Sequence, residues 1–128
     1  MSLKERFCKM LFGELQKMRV FIYQEPIDFR YGFERLSYFV REHLKADILE
    51  GDMYLFLGKN RKRAKVLLFD HTGLILITKR LEGGKLMALM DLENARKITT
   101  TELGLILSGA RIRLPRQARS QTEKWAHV

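Results

Sequence analysis

Cysteine is almost missing from this sequence. Cys8 is the single thiol among 128 residues, so no disulfide can close within the chain and no paired-cysteine metal site can form. A reducing compartment is the expected home. Proline is nearly as scarce, with two residues, and 46% of the chain is apolar, which argues for a folded body rather than disorder. No apolar run approaches the roughly 18 residues that a membrane span needs. Charges mixed into MSLKERFCKMLFGELQKM interrupt any secretion-signal core. These absences point to a protein of the cytoplasm, without membrane attachment, and the length fits one domain.

Catalytic patterns are missing as well. His43, His71 and His127 have no cysteine or serine elbow beside them in sequence to act as nucleophile. Asp70 next to His71 suits a turn in which the acid binds its own backbone better than a metal site. No acidic residue stands two positions before a lysine, the strand pattern of one large nuclease class. Gly83 and Gly84 lack the lysine-serine pair and following helix of a phosphate cradle. Zinc-finger spacing and aromatic ribonucleoprotein motifs are absent too. No catalytic residue, cofactor or metal is therefore expected. Asp28, Asp52 and Asp70 converging on magnesium form the one enzymatic alternative, a metal-dependent nuclease.

What the sequence has is localised positive charge. The formal net charge is +9. Lys59, Arg61, Lys62, Arg63 and Lys65 occupy one short stretch without an acid, and Arg111, Arg113, Arg116, Arg119 and Lys124 face only Glu123 in the last 18 residues. Acids and bases balance over the remaining chain, so the excess is concentrated in two segments.

Periodicity places these segments in a fold. Ser2 and Glu5 have capping-box spacing, and Leu3, Phe7, Met10, Leu11 and Leu15 follow at helical intervals, predicting a helix over about 3–17. RVFIY, residues 19–23, reads as a strand. Asp28 is the expected cap of a helix over about 29–44, with Phe33, Leu36, Phe39, Val40 and Leu44 on one face. Strands are expected at 53–58, 64–70, 74–79 and 85–90. Their short links require antiparallel neighbours. Thr99 and Glu102 repeat the capping-box spacing and open a last helix that stops at Gly109. The class predicted is α+β, an antiparallel β-meander packed by two or three helices. In this layout KNRKRAK becomes a hairpin tip whose cations straddle phosphates, or else a solvated turn that keeps sheet edges apart. Tail arginines extend that footprint, with Trp125 available to stack on a base, or form only a solubilising end.

Three stretches, IDFRYGFERL, MYLFLGKNRKRAKVLLFDHTGLILITKRLEGGK and TTTELGLILSGARIR, together resemble the TnpB accessory proteins, or Orf2-like proteins, of IS66-type bacterial insertion sequences. The matching positions are Asp28, Arg30, Gly32 and Phe33, then the basic hairpin, then Phe69 with Asp70, then Lys79, Arg80, Leu81 and Glu82. The sequence departs from the family where Phe69 stands for a tryptophan and where Ala88 and Leu89 replace a tryptophan-proline pair. The resemblance covers about 19–115, with 1–18 as a helical extension and 116–128 as a basic, flexible tail. It implies an accessory role in transposition, beside a separate transposase that carries the catalytic acids. DNA at the transposon ends is the expected partner, with Lys59, Arg61, Lys62, Arg63, Lys65, Lys79, Arg80, Lys85, Arg111 and Arg113 as contact residues. The competing expectation is a protein-interaction module that docks on the transposase.

Overall fold

The computed structural model describes residues 18–92 and 96–114. The expected first helix, the tail beyond residue 114 and Trp125 lie outside the described residues.

β1 (Val20–Ile22) leads through a loop to α1 (Phe33–Glu42), and a 3-10 turn (Ile48–Glu50) precedes β2 (Met53–Leu57). β3 (Arg63–Phe69) and β4 (Leu74–Arg80) follow, then a second 3-10 turn (Leu89–Leu92), β5 (Lys97–Ile98) and α2 (Thr100–Leu107). The strands form one sheet in the order β4-β3-β2-β1-β5. β2, β3 and β4 are a meander with Leu55 opposite Val66 and Val66 opposite Ile77. β1 instead pairs parallel with β2, because the chain spends α1 and its loops crossing between them. The sheet is mostly antiparallel and the class is α+β.

Alternation divides the sheet's side chains between two cores. Phe21, Tyr23, Tyr54, Phe56 and Leu67 pack under Leu36, Phe39 and Val40 of α1. Val20, Ile22, Met53, Leu55, Val66 and Leu68 pack on the other face with Leu86, Met87, Leu92, Leu103 and Ile106. Both faces of β2 are thus covered, and all five of its residues are buried. Arg19 closes the β1–β2 end with a two-pronged ion pair to Asp52, at 3.0 and 2.9 Å.

Several boundaries differ from the sequence expectation, each for a local reason. Asp28 does not cap α1. Its carboxylate accepts from the backbone and the guanidinium of Arg30, so the loop turns there and α1 begins at Phe33, behind Gly32. The run KLMALM is not a fourth meander strand, because Leu86 and Met87 are buried in succession against the sheet face rather than alternately. Gly84, at φ +75°, turns the chain toward that face. The fifth strand is the two-residue β5, paired with β1 and too short to show a period. Thr99 does form the capping box with Glu102, with both reciprocal bonds present.

Candidate nucleic-acid interface

One end of the sheet gathers most of the predicted contact residues. The β2–β3 turn spans residues 58–62, with Arg61 in the left-handed region at φ +61°. The chain after β4 folds back over this turn. Leu81 N–H donates to the Lys62 carbonyl at 2.7 Å, Leu86 N–H donates to the Arg61 carbonyl at 2.6 Å, and Arg61 Nε donates to the Leu86 carbonyl at 2.9 Å. Leu81 also lies against Gly109, just after α2. The start of the second basic segment, with exposed Arg111 and Arg113, is thereby brought beside the loop that covers the first.

The side chains at this end play different parts. Arg63 opens β3 directly opposite Arg80 of β4, so two guanidiniums leave the same face of the sheet side by side. Arg80 is partly neutralised by Glu82 at 3.1 Å, and Arg63 lies 5.6 Å over the ring of Phe29. Lys59 sits at the exposed tip, close enough to help lower the pKa of Asp28. Lys62 Nζ reaches the Gly84 carbonyl at 3.5 Å, and Lys85 is exposed on the same covering loop. Lys79 faces Ala64 and so projects from the opposite side to Arg63 and Arg80.

Lys65 is not part of this exposed group. It is 7% exposed, and its ammonium donates to the carbonyls of Phe29 and Tyr31 at 2.9 and 2.6 Å, with Nζ 4.9 Å from the Phe29 ring. Burial lowers its pKa. The side chain fastens the β1–α1 loop to the sheet. Gly58 completes the same junction, since a Cβ there would meet the Phe29 ring at 3.0 Å.

That loop adds residues that composition alone did not single out. Arg30 is held to Asp28 at 2.6 Å, and the Arg30 hydrogen bonds lower the Asp28 carboxyl to about 2. Beyond it, Arg35 lies 5.2 Å from the Tyr31 ring and 5.9 Å from the Tyr38 ring, and Arg41 lies 5.8 Å from Tyr38. The signal was present in DFRYGFERLSYFVRE as aromatics interleaved with arginines.

The acids considered for metal chemistry are spent locally. Asp52 binds Arg19, Asp28 binds Arg30, and Asp70 accepts from Thr72 and from the Gly73 amide, which lowers its pKa. Among the described residues, no three His, Cys, Asp or Glu side chains converge as metal ligands. His43 stacks on Phe39 and shares a 2.8 Å hydrogen bond with Tyr23 Oη. A groove of about 630 Å³ between the end of α1 and the first 3-10 turn is lined by Arg41 and Lys45 against Asp47 and Glu50, so its charges cancel. No described helix is long and apolar enough to cross a membrane.

Comparison with known proteins agrees with the resemblance in the sequence. The chain is 31% identical over 99 residues to the uncharacterized protein y4jC of Sinorhizobium fredii, covering 77% of this chain and 85% of that protein. It is 34% identical over 102 residues to the uncharacterized protein y4hO of the same organism, covering 80% of this chain and 89% of the relative. No solved structure matches. The family model described as IS66 Orf2 like protein matches residues 18–117, and the chain therefore belongs to that family of insertion-sequence accessory proteins.

Proposed function

We propose that this accessory protein binds the DNA of its insertion sequence, alone or together with the transposase, through the basic end of the sheet and without catalysing a reaction itself. The observation that carries this reading is the Arg63–Arg80 pair. Like charges directly opposite on neighbouring strands oppose folding, and a phosphate between them reverses the sign of that interaction. Lys59 and Lys62 lie in the adjoining β2–β3 turn, Lys85, Arg111 and Arg113 add charge around the same end of the sheet, and Lys79 projects from the opposite face. Arg61 and Lys65 serve it indirectly, by holding the covering loop and the β1–α1 loop. Contacts of this type are phosphate contacts, so binding is salt-sensitive and largely independent of sequence.

The test is a variant with Lys59, Lys62, Arg63 and Arg80 replaced by glutamine. Its affinity for duplex DNA at low salt drops sharply if the reading is right, and unchanged affinity sinks it. A second reading, docking on the transposase, is supported by β4. Among the described residues this strand pairs only with β3, and Ile77 on it is 40% exposed. Co-purification with the transposase that survives nuclease treatment favours that reading; loss of the transposase on treatment counts against it.

A further inference from the structure

A row of alternating rings and cations runs from the basic end of the sheet along α1. It begins with Arg63 over Phe29 at 5.6 Å. It continues with Tyr31 and Arg35 at 5.2 Å, Arg35 and Tyr38 at 5.9 Å, and Tyr38 and Arg41 at 5.8 Å. The loop that bears Phe29 and Tyr31 is fixed to the sheet by Lys65, so the two parts of the row belong to one surface. Tyr38 is 41% exposed, on a helix whose buried face is filled by Leu36, Phe39 and Val40. Arg35 has no carboxylate partner among the described residues, and Arg41 has only its exposed neighbour Glu42.

We propose that this surface binds single-stranded DNA, with Tyr38 as a stacking platform for a base and Arg35 and Arg41 meeting the flanking phosphates. The proposal rests on the reading above that the chain binds DNA, and it specifies the form of DNA. A single strand presents bases and phosphates in alternation, as the protein presents rings and guanidiniums. In a duplex the base faces are stacked on one another, so the rings have nothing to receive and only the cations contribute. For a base to stack on Tyr38, a guanidinium now packed on that ring moves off it to a flanking phosphate. The Arg63–Arg80 pair then anchors the backbone at one end of the track.

Fluorescence anisotropy with an oligothymidine of about 20 nucleotides, beside a duplex of equal length, tests this. The expected result is that Tyr38→Ala weakens oligothymidine binding about tenfold, as the loss of one stacked base does, and leaves duplex binding unchanged. Tyr38→Phe, which keeps the ring, keeps the affinity, and thermal melting shows that both variants remain folded. Wild-type protein that binds duplex DNA while Tyr38→Ala leaves oligothymidine affinity unchanged overturns this inference and spares the DNA-binding reading. Wild-type protein that binds neither DNA overturns both. Loss of transposase capture in Tyr38→Ala with DNA affinity intact assigns the surface to a protein partner and overturns the inference.

Discussion

Replacing Lys65 by methionine separates scaffold from phosphate ligand at the position where sequence and structure differ most. Methionine preserves most of the stem's volume in a site that is 7% exposed, and removes the ammonium that donates to the Phe29 and Tyr31 carbonyls at 2.9 and 2.6 Å. Hydrogen bonds from a charged donor contribute about 1.5–3 kcal/mol each, so the two together contribute about 3–6 kcal/mol. The variant recovers part of this, because the buried ammonium no longer has to be stripped of water, a cost that also lowers its pKa. A net loss of about 2–3 kcal/mol remains, equivalent to a fall in Tm of roughly 10 °C for a domain of this size. Urea or thermal unfolding measures it, with salt-dependent DNA binding on the same protein. The salt slope stays at its wild-type value if Lys65 holds the loop and touches no phosphate. Stability within about 0.5 kcal/mol of wild type, together with a slope shallower by about one, refutes the assignment.

Gly58→Ala places a Cβ 3.0 Å from the Phe29 ring at the same junction, and calorimetry should show a loss of about 1–3 kcal/mol from overpacking. Thr99→Ala removes the capping box of α2 and is expected to cost about 1 kcal/mol in urea unfolding, with the loss confined to stability. Asp28 supplies the pH dependence. Arg30 holds its carboxyl at about 2 against an ordinary value of 3.8, so its contribution to stability is full above that ordinary value and is lost as pH falls toward 2. Carboxyl titration by NMR should show the low midpoint, and Arg30→Ala should raise it part of the way toward the ordinary value, since the backbone N–H of residue 30 still donates to the carboxylate.

The parts of the fold that were legible in the sequence are those set by near neighbours. Thr99 and Glu102 act within one turn, so their spacing alone located the start of α2. The meander followed from short links between apolar runs, which leave no length for a crossover. Asp28 shows why helix starts are harder: the same side chain that can cap a helix can bind a guanidinium two residues on, and here it does the latter. The run from Lys85 to Met90 has strand-like composition, but tertiary packing uses it as a cover over one face of the sheet. The candidate site was legible as a position in the fold rather than as a set of roles. KNRKRAK does lie at a hairpin turn, between β2 and β3, yet strand alternation sets Lys65 on the same face as Leu67, beneath α1 and its loop. Period-two reading of AKVLLF carries that information once the covered faces of the sheet are known. The interleaved rings and arginines of α1 fall on the charged face of the helix, where periodicity marks exposure to solvent but not which exposed groups lie against one another.

The central claim is that cations at one end of the sheet meet phosphate, and the salt dependence of duplex binding measures this most directly. Four phosphate contacts from Lys59, Lys62, Arg63 and Arg80 predict that log affinity falls against log salt with a slope of at least about −3.6, and that replacing all four by glutamine makes the slope shallower by about that amount. A wild-type affinity indifferent to salt, or a variant with the wild-type slope, contradicts the account.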